Sequence, residues 1–312
     1  MGKGKCEMCR LGGVVLTNGP RPVEQYREIA EDLLMLIVNM ERALGGDGNS
    51  IAFHYPNGSY HIIKEHRPSN RLFSRYEEIV KRLQGAIIVQ CHARLSTCGP
   101  SEQHENMHPF VHGDVVGCHN GQIEDQSIWE ELEKLGHNGP YSTTDSEAIF
   151  AALDTFAHDL HPKSVQPVID MLHGTYAITA VSKARPDTLF MLAGSNPLCY
   201  WHNQKKGILW YASTPSLFPD TLNIPMKKKK KKTWDRYKKQ YIETTVKELD
   251  VYELEEGEGV YIKAGKKRLF IESHLFDLSV SYSYYPRKLY YGYGWDDEWD
   301  WESDFEKDKL GL

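Results

Sequence analysis

The sequence predicts an α+β protein rather than an alternating α/β one. Apolar residues recur at helical spacing over residues 23–44 and again over 146–172, whereas short apolar runs bounded by turn signals dominate from residue 176 to residue 264. Helices and strands do not alternate regularly, so a parallel sheet of βαβ units is not expected. With 312 residues, 40% of them hydrophobic, the chain can bury a core as one large domain or two smaller ones.

Local signals place strands and helices through the first 172 residues. Pro56-Asn57-Gly58 is typical of a hairpin turn, and Gly45-Gly46 and Gly136 are typical of helix ends. His119-Asn120-Gly121 is expected to be a turn after a short strand. The predicted strands cover residues 9–18, 50–55, 59–64, 86–92 and 115–118. The predicted helices cover residues 23–44, 74–84, 126–136, 146–160 and 164–172.

Strands dominate the C-terminal half, where two segments have an unusual composition. Six consecutive lysines occupy residues 227–232, and we expect them in a solvated insertion loop near 226–240. The tail, residues 276–312, is acidic and aromatic without a clear period, which favours a weakly ordered segment or a docking strip. The lysines could also pair with this tail, in the same chain or another. The predicted strands cover residues 176–182, 188–193, 198–201, 208–212, 251–254 and 259–264.

Composition excludes some classes of function. The formal net charge of −6 gives no general basic footprint, so nucleic acid is an unlikely partner. No apolar run approaches the ~20 residues of a membrane span, so we expect a cytoplasmic protein whose six cysteines are reduced. Cys6 and Cys9 form a Cys-x-x-Cys pair, but no second close pair completes a zinc site. The sequence therefore predicts no metal and no cofactor.

Four short motifs within about fifty residues carry the chemistry. They are His92-Ala93-Arg94-Leu95-Ser96-Thr97-Cys98-Gly99, Asn106-Met107-His108-Pro109, His119-Asn120-Gly121 and Thr144-Asp145-Ser146-Glu147. Together they supply a guanidinium, an amide followed by a glycine, and a carboxylate. A guanidinium holds a carboxylate through two parallel hydrogen bonds, and a carboxylate opposite it selects a zwitterion. A free amino acid held at both charged ends fits this set, with Cys9 as the nucleophile.

In this order, the motifs resemble the glutaminase domain of class II glutamine amidotransferases, which are N-terminal-nucleophile hydrolases. The resemblance runs from Cys9 to about Ala264 and is densest over the four motifs. It implies a four-layer αββα sandwich, with L-glutamine as substrate. Glutamate and ammonia would be the products of attack on the side-chain amide through a Cys9 thioester.

The resemblance also assigns roles to individual residues. Cys9, followed by Gly13 at the family spacing, would be the nucleophile. Asn120 and Gly121 would form the oxyanion hole, and Arg94 and Asp145 would bind the α-carboxylate and the α-ammonium of glutamine. The remaining substrate contacts would come from Thr97 and Cys98.

The base in this mechanism would be the α-amino group of Cys9. A terminal amine has a pKa of about 7.7–8.0, whereas an amide nitrogen cannot take the proton. Cys9 must therefore be the first residue of the active chain. We expect residues 1–8 to be a leader or propeptide removed before Cys9, or translation to begin at Met8.

Plainer explanations remain for each of these residues. Arg94 could be an ordinary ion-pair residue, Asp145 could cap the helix that follows it, and Asn120-Gly121 could be only a hairpin turn. The histidines of the motifs are expected to be structural rather than catalytic; they are His92, His108 and His119.

The predicted organisation is a glutaminase domain over residues 9–275, followed by the tail. The family usually carries a synthase domain after the glutaminase domain, and the remaining residues are too few for one. The ammonia acceptor is therefore expected on a separate synthase subunit, and a homo-oligomer is left open. Two alternatives are a hydrolase of another γ-glutamyl amide and an inactive scaffold of the same fold.

Overall fold

A computed structural model of the chain describes residues 9–44, 46–66, 69–95, 103–235 and 240–278. Its strands form two large antiparallel sheets and one separate ribbon. None of the helices in these ranges combines the length and the apolar character that a membrane crossing needs. Of the predicted site residues, Thr97 and Cys98 lie outside the described residues, as do the predicted leader and most of the tail.

Strand pairing defines the order of each sheet. Sheet A contains, from edge to edge, β13 (Tyr252–Glu253), β9 (Cys199–Asn203), β10 (Ile208–Ala212), β1 (Arg10–Leu16), β4 (Ile88–Arg94), β2 (Gly48–His54) and β3 (Tyr60–Glu65). Sheet B contains β15 (Leu269–Leu275), β14 (Glu258–Ala264), β8 (Thr188–Ala193), β7 (His173–Ser182), β6 (Val115–Glu124) and β5 (Phe110–His112). The ribbon consists of β11 (Met226–Asp235) and β12 (Gln240–Leu249).

The helices bury one apolar face each. In the longest, Ile29, Leu33, Ile37 and Met40 recur at helical spacing and are all buried. The helices are α1 (Val23–Leu44), α2 (Asn70–Phe73), α3 (Tyr76–Leu83), α4 (Gln126–Lys134), α5 (Ser146–Ala157) and α6 (Pro162–Ile169). Short 3₁₀ turns occur at His104–Asn106, Pro215–Leu217 and Asp220–Leu222.

Three apolar clusters connect these elements. One joins α1 and α3 to sheet A through residues such as Leu33 and Phe53. A second joins α4, α5 and α6 to sheet B. The third contains residues of both sheets, with Leu11 and Tyr211 from sheet A and Val181 and Ile262 from sheet B. Each sheet therefore packs helices against one face, and residues of both sheets meet in the third cluster.

Side-chain alternation assigns the motif residues to faces of the sheets. Leu11 of β1 and Ile88 of β4 belong to the cluster shared by the two sheets. Because side chains alternate along a strand, Cys9, just before β1, and Arg94, at the end of β4, lie on the same face as these two residues. Cys118 of β6 belongs to the same cluster, and Asn120 lies two residues further along that strand. The motif residues thus come from the faces of both sheets that contribute to the shared cluster.

The structure confirms most predicted elements and corrects others. The strand expected to end at Cys118 continues as β6 to Glu124 and remains paired with β7 throughout. The lysine run, expected in a loop, forms β11 of the ribbon. Strands β5, β12 and β15 and the short helix α2 were not predicted. The α+β class is confirmed, because helices and antiparallel sheets make up the described chain.

Candidate active site

Cys9 and Arg94 are neighbours across two central strands of sheet A. Arg10 pairs with Ala93 in the antiparallel register of β1 and β4. Cys9, the residue before β1, therefore lies beside Arg94, the last residue of β4. The Cys9 thiol donates a hydrogen bond to the carbonyl oxygen of Leu95 at 3.5 Å. Arg94 is only 3% exposed. A buried guanidinium is therefore held beside a partly buried thiol.

Electrostatics tie the thiol to both charged residues of the motifs. Burial raises the pKa of the Cys9 thiol; the positive charge of Arg94 opposes that rise, and the negative charge of Asp145 adds to it. The thiol is consequently protonated near neutral pH. A nucleophilic role for this sulfur then requires a base that removes the proton during attack.

Asn120 and Gly121 lie within a strand, so their interpretation as a turn is wrong. Asn120 pairs with Ala177 and Gly121 with Tyr176, in the middle of the β6–β7 ladder. Gly121 has a φ of +152°, and a Cβ atom there would meet the carbonyl oxygen of Thr175 at 1.9 Å. Only glycine fits this close approach of two backbones. The glycine that suggested a turn is used instead to let the two strands pass closely.

The side chain of Asn120 is buried without a partner. It is 1% exposed, and within the described residues neither its amide nitrogen nor its amide oxygen has a hydrogen bond. Its backbone is fixed, because the Asn196 side chain donates to the Asn120 carbonyl oxygen at 2.7 Å. A buried amide without a partner costs free energy, and native proteins seldom leave one without a reason. A bound group that accepts from this amide would remove that cost.

Asp145 connects the start of α5 to β6. One carboxylate oxygen accepts a hydrogen bond from the backbone N–H of Ile123 at 2.7 Å. Asp145 occupies the N-cap position of α5, but its side chain makes no capping hydrogen bond. Capping therefore does not explain its side chain. Instead the carboxylate is held against the strand that carries Asn120 and Gly121.

Two buried side chains hold the segment before Asp145. The carboxylate of Glu147 accepts from the backbone N–H groups of Tyr141 and Ser142 at 2.9 and 2.6 Å, and it contacts His112 at 3.1 Å. The Asn106 side-chain oxygen accepts from the N–H of Thr143 at 2.9 Å. These bonds fix successive residues of the loop that ends at Asp145. The second and fourth motifs thus act together in space.

We expect Glu147→Gln to lower the free energy of unfolding by about 2 kcal/mol near neutral pH. Burial would raise the pKa of Glu147, but hydrogen bonds from His112, Ser142 and Tyr141 outweigh it and lower the pKa to about 2. The carboxylate therefore stabilises the fold above its unfolded pKa of about 4.3, and this contribution is lost as the pH falls towards 2. Urea titrations at pH 7 and below pH 4 should show a difference between variant and parent that shrinks with acidity.

Glu133→Gln on the exposed face of α4 is the matched control for that substitution. It removes a carboxylate of the same kind that no backbone N–H holds in the described structure. An equal loss of stability in both variants, or none in Glu147→Gln, would contradict the role given to Glu147.

The histidines of the motifs are buried and uncharged. The rings of His92 and His108 are 4.0 Å apart between centroids, and His108 lies 6.4 Å from His119. Burial lowers the pKa of His92 to about 3 and also lowers the pKa of His108 and His119. His119 is further fixed by a 2.8 Å hydrogen bond to the hydroxyl of Ser146. These contacts agree with the structural role expected of the three residues.

In the described part of the site, one thiol, that of Cys9, is flanked by the charges of Arg94 and Asp145. Among the residues that the structure describes, no group of three or more His, Cys, Asp or Glu side chains could hold a metal ion. Cys6, the other half of the Cys-x-x-Cys pair, lies outside the described residues. The chemistry available in the described part is thus that of a thiol, a guanidinium, a carboxylate and an amide.

Comparison with known proteins agrees with this set of groups. Residues 92–220 match a family described as "Glutamine amidotransferase domain". The chain is similar to two glutamine–fructose-6-phosphate aminotransferases. It is 34% identical to that of Thermotoga maritima over 191 residues and 29% identical to that of Acinetobacter baylyi over 177 residues. These matches cover 60% and 55% of this chain. Over residues 92–220 the chain is therefore similar to a glutamine amidotransferase domain.

Solved structures show that the fold of this amidotransferase domain is a known one. The glutamine phosphoribosylpyrophosphate amidotransferase of B. subtilis superposes with a TM-score of 0.58 at 16% identity, covering 86% of this chain and 50% of that one. An allosteric regulatory enzyme of purine biosynthesis superposes with a TM-score of 0.59 at 17% identity, covering 86% and 49%. At such identities the similarity concerns the fold alone.

The relatives are much longer than the regions they share with this amidotransferase domain. The matched regions cover 30% of the Thermotoga maritima protein and 28% of the Acinetobacter baylyi protein. In a third relative, from Listeria monocytogenes, 110 residues at 34% identity cover 34% of this chain and 18% of that protein.

One supporting residue of the amidotransferase domain could not be found from the sequence. Asn196 contacts the backbone of Asn120 from a loop 76 residues further along the chain. Its only local signal is a Gly-Ser-Asn-Pro turn after a strand, which is typical of many loops. The contact depends on the pairing of β6, β7 and β8, and that pairing is not visible in local patterns.

Proposed function

We propose that this chain hydrolyses the side-chain amide of L-glutamine through a thioester on Cys9, releasing glutamate and ammonia. The observation that carries the proposal is the position of Cys9 beside Arg94 at the ends of β1 and β4, where the charges of Arg94 and Asp145 both act on its thiol. These are the groups that a zwitterionic amino acid requires at its two ends. The Asn120 amide, which is buried and has no hydrogen-bond partner among the described residues, supports the proposal as a donor to the oxyanion.

The proposed reaction has two balanced stages. The sulfur of Cys9 attacks the amide carbon of glutamine while the α-amine of the same residue takes the thiol proton. The carbonyl oxygen gains negative charge, which the Asn120 side-chain N–H and the Gly121 backbone N–H stabilise. The intermediate then collapses, the C–N bond breaks, and the amine returns its proton to the departing ammonia. Water then attacks the thioester carbon while the α-amine takes a proton from it. The C–S bond breaks, and the amine returns the proton to the sulfur as glutamate leaves.

The binding of substrate is assigned to the charged residues. The guanidinium of Arg94 would hold the α-carboxylate and the carboxylate of Asp145 the α-ammonium, with further contacts from Thr97 and Cys98. We further propose that residues 1–8 are removed, because an internal cysteine has no amine to act as base. The proposed domain spans residues 9–275 with the lysine-rich insertion, and the helix and sheet clusters support the four-layer αββα order for it.

Release of glutamate and ammonia from glutamine by the purified chain tests this function directly. A second candidate is the hydrolysis of another γ-glutamyl amide, which the same charged pair favours because these compounds share the zwitterionic head. Turnover of glutamine against γ-glutamyl amines separates the two. Labelling of Cys9 by a glutamine-like diazo ketone, without turnover of either substrate, would point to a different amide. Absence of both would indicate an inactive scaffold.

The ammonia acceptor is proposed to be a separate synthase subunit. The curated relatives named above are aminotransferases that act on fructose 6-phosphate, and the shared regions cover less than a third of their length. The proposal for this chain is limited to the ammonia-releasing half of such chemistry.

We expect Arg94→Lys to raise the KM for glutamine about 10- to 100-fold with a smaller change in kcat. A lysine keeps the positive charge but loses the second parallel hydrogen bond to the carboxylate, and hydrogen bonds to charged groups contribute about 1.5–3 kcal/mol. Steady-state kinetics with glutamine measure the effect. Arg185→Lys, a change of the same kind in the turn between β7 and β8, serves as control. An unchanged KM in Arg94→Lys would remove Arg94 from the binding site.

A further inference from the structure

The lysine-rich ribbon has two faces of different charge. β11 and β12 are each ten residues long and antiparallel, and their register runs from the pair Met226 and Leu249 to the pair Asp235 and Gln240. Side chains alternate between the faces of a strand, so odd- and even-numbered lysines of residues 227–232 lie on opposite faces. The ribbon therefore has to be examined one face at a time.

Carboxylates neutralise Lys227 and Lys229, which share one of these faces. Lys227 lies 3.4 Å from Asp250, and Lys229 lies 3.4 Å from Glu248 and 3.9 Å from Glu253. Lys227 also donates a hydrogen bond to the Val251 carbonyl oxygen at 2.9 Å. These bonds connect Lys227 and Lys229 to the end of β12 and to the residues that follow it. Anchoring of the ribbon therefore accounts for these two lysines.

The opposite face keeps an excess of positive charge. It carries Lys228, Lys230, Lys232 and, from β12, Lys247. Lys230 pairs with Glu243 at 2.7 Å, but in the described part of the chain the other three lysines have no carboxylate partner. Lys228 and Lys247 stand directly opposite each other in the register. Like charges in that position destabilise a strand pair, and a bound anion would relieve the repulsion.

An exposed aromatic ring continues the same face. Tyr241 is 63% exposed and follows Glu243 and Lys247 on alternate positions of β12. The lysines of β11 form a row about 13 Å long, because residues two apart on a strand are separated by about 6.6 Å. A row of cations that ends in an exposed aromatic ring is the arrangement that binds a phosphate backbone and stacks an unpaired base.

We propose that this face of the ribbon binds single-stranded nucleic acid, through its phosphates and one stacked base. The phosphates would contact Lys228, Lys232 and Lys247, and a base would stack on Tyr241. The inference is independent of the proposed hydrolysis of glutamine. It departs from the expectation drawn from net charge, because the structure concentrates unpaired lysines on one face where a loop would have dispersed them.

The test is a fluorescence anisotropy titration of the full chain with a labelled 20-nucleotide single strand of mixed sequence, as RNA and as DNA. Each phosphate that a lysine neutralises contributes about −0.7 to the slope of log K against log salt for single strands. We expect a slope of about −2 to −3 for the parent. In K228Q/K232Q/K247Q the slope should fall by about 2, and the affinity by at least about tenfold at low salt. Glutamine hydrolysis by this variant should equal that of the parent.

K205Q/K266Q/K267Q is the matched control, since it removes three other exposed lysines. It should bind the single strand like the parent; an equal loss would show non-specific attraction and overturn the proposal. Tyr241→Ala should weaken binding about fivefold or more with the salt slope unchanged, which separates stacking from charge. An unchanged Kd in the triple ribbon variant would also overturn the proposal. So would equal competition by poly-glutamate of matched charge, which would indicate an acidic protein, or tighter binding of a duplex than of the single strand.

Discussion

Cys9→Ala is expected to reduce glutamate release from glutamine by at least about four orders of magnitude, to the background of the assay. Without the sulfur there is no thioester, and water alone attacks a primary amide poorly. Burial raises the pKa of the Cys9 thiol, so the sulfur is protonated near neutral pH and attacks only when a base removes its proton. Release of glutamate and ammonia, measured at saturating glutamine, gives the result.

Cys199→Ala is the control for Cys9→Ala, because it removes a buried thiol that donates to the Ala212 carbonyl oxygen on the other side of sheet A. It should keep nearly full activity per folded molecule. Labelling with a diazo-ketone analogue of glutamine should fail in Cys9→Ala and succeed in Cys199→Ala. Full activity in Cys9→Ala would show that the nucleophile is misassigned.

Asn120→Ala is expected to lower kcat about 10²- to 10³-fold with little change in KM. The amide N–H would meet the oxygen only when negative charge develops on it, so its loss affects the transition state and not the bound substrate. Kinetics over a range of glutamine concentrations separate kcat from KM. An unchanged kcat would place the oxyanion elsewhere.

Stability distinguishes a catalytic amide from a structural one in the same variant. In the described structure the Asn120 side chain has no hydrogen-bond partner, so removing it leaves no described group unsatisfied. The free energy of unfolding of Asn120→Ala should therefore equal or exceed that of the parent. Asn39→Ala is the contrast, because its amide donates to the Leu217 carbonyl oxygen at 3.1 Å, and its loss should destabilise the fold without lowering kcat.

Apolar spacing was enough to predict the helices that cover the sheets. Residues 23–44 were predicted and found as one helix, because its buried positions repeat at the helical period over six turns. Most strands of the two large sheets were likewise visible as apolar runs bounded by turn residues, with β5 and β15 as exceptions. Local patterns succeed where one element buries one face against a core.

Predictions failed where a local sequence pattern is compatible with two different structures. Asn-Gly is favoured in hairpin turns, but Gly121 lies inside β6, where its φ of +152° permits close approach to Thr175. The lysine run indicated a loop, because lysine is a poor strand former. Its cross-strand pairing with Glu248 and other residues of β12 could not be seen locally.

The contacts that support the candidate site could not be predicted from the sequence. The motifs named Arg94 and Asp145, and the structure couples both to the Cys9 thiol. Two supporting contacts join segments far apart in sequence: the Thr143 N–H donates to the Asn106 side chain in the loop before Asp145, and the Asn196 side chain donates to the Asn120 carbonyl oxygen. Such contacts arise from the packing of sheet B against α5 and its preceding loop, which no short motif encodes.

The identity of the terminal residue tests the central claim most directly. We propose that the primary amine which accepts the thiol proton belongs to the same residue as the sulfur. Intact mass and N-terminal sequencing of the protein from its own host, made on the fraction that hydrolyses glutamine, should give a chain that begins at Cys9. A chain that keeps residues 1–8 and hydrolyses glutamine at the same rate would contradict it.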